Sequence, residues 1–218
     1  MGVRMKKIIS ILLCIVITAS LTGCTSDNEV QRYLQALLDA SYKNDPTLFV
    51  DMKLGSEKEA QALYSQGVDT GIETFCTTLS VPEELKGDFR QIYMDMLSKV
   101  HYTVGDAEKQ SDGSYIVTVT YEKMIVFQPM LDTHAIKTAQ LYKTWGENPA
   151  SAPTDENEMM KLIIVALKES MEEVLANVTY EQEQTTTVRI ELVDMVYTPN
   201  TSDIQNLEMI LFDTDSAK

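Results

Sequence analysis

The sequence predicts an α+β fold in which an antiparallel sheet of three or four strands packs against several helices. Three observations carry that expectation. Apolar residues recur at three- and four-residue spacing through six stretches of the chain, the mark of helices that bury one stripe. Between them, two regions alternate apolar and polar residues, the mark of strands. Each alternating region is apolar on one face only, so the sheet covers a core on one side and meets water on the other. The 218 residues fit one domain or at most two small ones, and 44% hydrophobic residues exclude a disordered chain. With 33 acidic against 18 basic residues the formal charge is −15, and no cluster of Lys and Arg appears in the body of the chain, so a nucleic-acid partner is excluded.

In chain order, Val30, Tyr33, Leu34, Leu37, Leu38 and Tyr42 make one stripe, predicting a helix over 29–43. Asn44-Asp45-Pro46 stops it, because the residue before a proline is pushed out of the α region. Ser56 and Glu59 have capping-box spacing and open a second helix through Ala60, Leu63, Tyr64, Val68, Ile72 and Phe75. Ser80 and Glu83 repeat that spacing, and a third helix carries Phe89, Ile92, Tyr93, Met96 and Leu97. Residues 101–109 and 114–127 then read as strands joined by a turn at Ser111-Asp112-Gly113. Pro129 is expected to end the second strand before a helix over 132–145 that Gly146 closes.

Residues 146–154 (GENPASAPT) are the best linker candidate, at which the domain over 29–212 could subdivide. A helix over 155–177 follows, then alternation over 178–197, and Thr201 or Ser202 is expected to cap a terminal helix with Ile204, Leu207, Ile210 and Leu211. Residues 213–218 are expected to form an acidic solvated tail. Residues 85–127 loosely parallel 158–196 as helix followed by extended segments, a weak internal repeat.

Residues 1–24, MGVRMKKIISILLCIVITASLTGC, set Arg4, Lys6 and Lys7 before an apolar run from Ile8 to Ile17, too short to be a spanning helix. The stretch ends in Leu21-Thr22-Gly23-Cys24, and here it resembles the lipobox of bacterial lipoprotein signal peptides. The resemblance implies cleavage between Gly23 and Cys24, a diacylglyceryl thioether on Cys24 and acylation of the new amino group. Residues 24–28 would then be a polar tether, and the partner would be the membrane, on its extracytoplasmic face. Loss of Arg4, Lys6 and Lys7 takes the charge from −15 to −18, which anionic headgroups would repel. Of the three cysteines, Cys14 leaves with the leader, Cys24 is lipidated, and Cys76 is expected to be a small buried residue on a helix.

Three segments, VQRYLQALLDASYKND, VTVTYEKMIVF and VTYEQEQTTTVRIELVD, make the body similar to uncharacterised lipoproteins of Gram-positive bacteria. That resemblance implies a cystatin-like or nuclear-transport-factor-like cone and carries no catalytic residues with it. This chain departs from the cone by placing several helices before its first strand.

The sequence holds no phosphate loop, HExxH, CxxC or GxSxG, so no catalytic residue, metal or cofactor is assigned. His101 and His134 are read as structural or surface residues, and a metal site would require the fold to bring them together with acidic partners. Tyr142 and Trp145 are the candidate ligand-contacting pair, since large aromatics give contact area at little entropic cost. The reading that follows is a lipid-anchored, non-enzymatic module that binds an unidentified protein or small molecule. The alternative is a cell-envelope hydrolase using scattered Asp, Glu and His. No βαβ alternation supports a two-lobed solute receptor.

Overall fold

The computed structural model describes residues 21–22 and 26–212. The elements are β1 (Leu21–Thr22), α1 (Asp27–Tyr42), α2 (Thr47–Asp51), α3 (Glu57–Leu79), α4 (Glu83–Ser98), β2 (His101–Lys109), β3 (Tyr115–Glu122), β4 (Met124–Ile125), α5 (Phe127–Glu147), α6 (Glu156–Ala176), β5 (Thr179–Tyr180), β6 (Gln184–Val193), β7 (Val196–Pro199) and α7 (Thr201–Leu211). The sheet is antiparallel in the order β1-β7-β6-β3-β2, and β4 pairs with β5 as a separate two-residue ribbon. The expected α+β architecture is therefore what forms, with two hairpins lying side by side through β3 and β6.

Helix α1 starts in a full capping box, in which Ser26 accepts from the Glu29 amide while the Glu29 carboxylate accepts from the Ser26 amide at 2.9 Å. This cap draws Asp27 and Asn28, expected in the tether, into the first helical turn. The predicted stripe is buried, with Val30, Tyr33, Leu34, Leu37 and Leu38 sealed from water. Polar residues of α1 fix its register on the sheet. Gln31 Nε2 donates to the Val104 carbonyl at 3.0 Å and Gln35 Oε1 accepts from the Val104 amide at 3.3 Å, so two side chains one turn apart satisfy the outer edge of β2. On the opposite side, the Tyr33 hydroxyl donates to the Tyr197 carbonyl of β7 at 3.1 Å.

Five local expectations are corrected. The Ser56–Glu59 box forms, but the Ser80–Glu83 box does not. Ser80 takes a left-handed conformation (φ 54°) and closes α3, with its amide and that of Val81 returning to the Cys76 carbonyl, and an N-cap needs the extended backbone that Ser80 has given up. Helix α4 instead follows Pro82 without a side-chain cap. Pro129 does not end a strand: it lies in the first turn of α5, where its missing amide costs nothing, so β3 stops at Glu122 and Phe127 is helical. Gly146 lies within α5, which runs on to Glu147. The single stretch expected over 178–197 is three strands, because Asp194 (φ 50°) and Met195 (φ 68°) turn β6 into β7, and Asn200 rather than Thr201 or Ser202 caps α7 through the Asp203 amide.

The inward faces of the strands, with Val104, Tyr115, Val117, Val119, Val188 and Ile190, meet α1 and α7 in the core. Thr103, Thr118, Thr120 and Thr187 stand on the other face, half or fully exposed, as the one-sided alternation requires. Residues 146–154 contain a short 3-10 turn at Pro149–Ser151 and join α5 to α6, which pack against each other.

Among the described residues, one carboxyl group and one imidazole are buried inside. Glu208 of α7 is 3% exposed, accepts from the Tyr42 hydroxyl at 3.3 Å, and is pushed up to about 9 by burial. The folded chain holds that proton, whereas the unfolded chain releases it above the ordinary value of 4.5, so stability declines as pH rises from there towards 9. His134, between α5 and α6, is pushed down by burial, so its contribution is present above 6.5 and is lost as pH falls. Glu208→Gln should flatten the alkaline limb. In urea titrations, wild type is expected to lose roughly a few kcal/mol between about pH 5 and 9, and the variant much less. Equal loss in both would refute the assignment of this limb to Glu208.

Candidate functional site

The hairpin pairing of β2 and β3 sets His101 directly opposite Glu122. Imidazole Nδ1 and carboxylate Oε2 are 2.6 Å apart, and both side chains are about half exposed. Tyr180 of β5 stacks on the imidazole with ring centroids 4.1 Å apart and planes 10° from parallel. The Tyr180 ring is itself fixed, since its hydroxyl donates to the Lys99 carbonyl at 2.7 Å, and burial followed by the Glu122 charge raises that hydroxyl above its ordinary value. The β4–β5 ribbon supplies this support. The Glu181 amide donates to the Lys123 carbonyl at 2.9 Å, and the two side chains form an ion pair at 3.2 Å.

Beside the pair, at the end of α1, the Tyr102 hydroxyl donates to Asp39 Oδ1 at 2.7 Å. Lys43 Nζ sits 3.2 Å from the same oxygen and 4.1 Å from the Tyr102 ring centroid. Burial, and secondarily the Asp39 charge, push the Tyr102 hydroxyl far up, so it stays a neutral donor. Lys43, Tyr102, His101 and Glu122, together with Thr103, Thr120, Tyr121 and Glu183, line an open cleft of about 350 Å³ at one end of the sheet.

With Nδ1 held by the carboxylate, His101 Nε2 has no protein partner among the described residues. A neutral imidazole donating from Nδ1 presents Nε2 as an acceptor and a protonated one presents it as a donor, and in either form the carboxylate and the stacked ring fix its direction. The cleft thus offers an oriented imidazole nitrogen, an ammonium group, two threonine hydroxyls and carboxylates, a set that hydrogen-bonds polar solutes. It holds no cysteine or serine nucleophile among its lining residues. Among the described residues, no three His, Cys, Asp or Glu side chains converge as a metal site would need.

Cys24 lies outside the described residues, as do residues 1–20 and the tail 213–218. Tyr142 and Trp145 meet each other, edge to face at 5.3 Å and 89°, near the end of α5, with Tyr142 exposed and neither lining the cleft. The two histidines do not converge. His134 is buried and bonds to the Ala166 backbone on α6, with its Nδ1 unpartnered. Cys76 is a buried residue of α3, as expected. Glu122 and Tyr180 were not singled out from sequence. Glu122 was within reach of it, because folding the 101–109 and 114–127 strands about Ser111-Asp112 sets residue 122 across from 101. Tyr180 was not, since the ribbon that carries it is two residues long.

No protein-family model and no curated protein matches the sequence. Among solved structures, the crystal structure of a Bacillus subtilis protein described as a lipoprotein, ycdA, is similar in fold. It gives a TM-score of 0.53 at 16% identity over 82% of this chain, and the match spans 54% of that protein. No helix among the described residues is long and apolar enough to cross a membrane.

Cys76 is 1% exposed, and burial raises its thiol further from the reactive thiolate. Modification by an aromatic disulfide reagent should be roughly 100-fold slower in the native protein than in urea. Comparable rates would show that the α3 thiol is accessible.

Proposed function

We propose that this chain is an extracytoplasmic lipoprotein, held to the membrane by acyl chains on Cys24, whose domain binds a small polar solute in the cleft around His101 and Glu122. The leader ending in Leu21-Thr22-Gly23-Cys24 supports the anchor, and so does a fold shared with a protein described as a lipoprotein. The observation that carries the binding role is the cleft itself. Its donors and acceptors are oriented by Tyr180, Asp39 and the β-hairpin, and among the described residues no cysteine or serine lines it. Binding energy in such a site comes from a few preorganised hydrogen bonds to the solute.

A hydrolase remains the second reading because of one feature. The His101–Glu122 pair has the form of a general base, with Nε2 open to a water molecule.

Cys24→Ser should release the protein from the membrane fraction, and full retention would sink the anchor. Native mass spectrometry of the lipidated protein should detect a co-purifying polar small molecule. His101→Ala and Glu122→Gln should each weaken its binding about tenfold or more without lowering thermal stability. Undiminished binding in both variants would remove the cleft from the function. Chemical turnover of the bound molecule, abolished by His101→Ala, would favour the hydrolase instead.

A further inference from the structure

We infer that the β6–β7 hairpin tip, with Leu192, Val193 and Met195, is a membrane-contact surface that rests in the lipid interface beside the anchor. The inference relies on the anchor at Cys24 and goes beyond it, since a lipid-modified cysteine does not by itself dictate which face of a domain meets the bilayer.

The first argument is the residue at the tip. Asp194 and Met195 both adopt positive φ, the arrangement of a two-residue turn that normally takes Asn and Gly. A methionine at such a position is strained, and this one is 80% exposed. Val193 is 51% and Leu192 40% exposed beside it. Within one short hairpin end, three large apolar side chains face water, and Met195 does so at a turn position where a polar residue or glycine would be more stable.

The second argument is where the chain enters. Before cleavage, Thr22 pairs with Val196, the residue after Met195, and Leu21 pairs with Tyr197, a pairing that is lost with the leader. Ser26 caps α1, whose Tyr33 bonds to Tyr197. Cys24 is two residues from both Thr22 and Ser26, a reach of about 7 Å from each. Cleavage before Cys24 would leave the second of these leashes intact. Because Ser26, Asp27 and Asn28 belong to the cap and first turn of α1, only Thr25 separates the lipidated residue from folded structure. Acyl chains on Cys24 would therefore enter the bilayer at the end of α1 that lies toward the hairpin tip, and so short a leash would hold the tip at the headgroup layer.

The third argument is direction. Helix α1 runs from the hairpin tip to the cleft, and β3 spans the same distance from Tyr115 to Glu122, about 23 Å. Seating the tip in lipid turns His101 and Glu122 away from the membrane. Asp194 and Glu191 give the tip no cationic character, so apolar burial rather than headgroup charge is the attraction, and contact should persist at high salt.

Methionine oxidation tests this on the unaltered chain. Lipidated protein in phosphatidylcholine–phosphatidylglycerol vesicles is treated with hydrogen peroxide, and sulfoxide formation at Met195 is compared with that at Met160 of α6. In water, exposures of 80% and 41% make Met195 the faster of the two. At the membrane the order should invert, with Met195 slowed roughly fivefold or more relative to Met160 and no change at 1 M salt. As a second readout, Met195→Cys carrying a polarity-sensitive fluorophore should shift to the blue and be quenched by nitroxides on acyl chains, while the same label at Glu183→Cys should not. An acylated chain whose Met195 oxidises faster than Met160 overturns the tip and leaves the anchor standing. An intact mass without hydrocarbon on Cys24 overturns both.

Discussion

The docking of α1 on the sheet is the interaction on which the remaining arrangement depends. Its apolar stripe supplies burial, but burial alone would allow the helix to slide. Register comes from polar contacts made by the same helix: Gln31 and Gln35 on both backbone groups of Val104, Tyr33 on the Tyr197 carbonyl, and Asp39 on the Tyr102 hydroxyl. Each becomes an unsatisfied buried or half-buried group if α1 shifts by one turn, which makes the register steep in energy. Gln35 also donates to Asp39 at 2.7 Å, so the contact that seals the β2 edge is linked to the one that orients Tyr102 and Lys43 at the cleft.

The fold was legible in the sequence where one physical signal acted alone. The stripes of α1, α3, α4 and α6 and the alternation of β2, β3 and β6 each follow from burial on one side, and the structure buries most of those residues, with Met160 at the start of α6 and Leu192 near the end of β6 left exposed. Errors arose where a residue could serve two neighbouring elements. Ser80 had the chemistry of an N-cap and was used to terminate the preceding helix. Pro129 could end a strand or begin a helix, and only the packing of Val126, Phe127 and Met130 into the core decides for the helix. The β6–β7 turn was hidden for the reason that makes it unusual, because Asp-Met gives no turn signal where Asn-Gly would.

The candidate site was less legible than the fold. His101 was visible as a residue at a helix-to-strand junction, and its carboxylate partner follows from hairpin register alone. The remaining groups come from long range: Asp39 and Lys43 from α1, Tyr180 from a two-residue strand after α6. No periodicity links residues about sixty to eighty positions apart, and the tyrosines that matter look like core residues by pattern. Tyr102 is largely core, yet its hydroxyl holds the carboxylate that places an ammonium at the cleft. The signal absent from the sequence was hydrogen-bond satisfaction, which becomes visible only after the chain is packed.

Helix α1 also turns two separate features into a single geometry. Sixteen helical residues span about 24 Å, close to the length of β3, so the strut and the strand it lies against end together. At one end stand the capped first turn, the apolar hairpin tip and the one-residue leash to Cys24. At the other stand Asp39, Lys43 and the His101–Glu122 pair. A long flexible tether would leave the height and direction of the cleft to diffusion. Under the proposed anchor, a leash of one residue on a capped, register-locked helix would transfer that choice to the folded domain, so the distance of the cleft from the bilayer would be set by the length of α1 and not by the linker. Under the same proposal, an acidic domain need not stand off from the membrane. Repulsion between the carboxylates and anionic headgroups is screened within about 8 Å at physiological salt, whereas the apolar tip acts by contact.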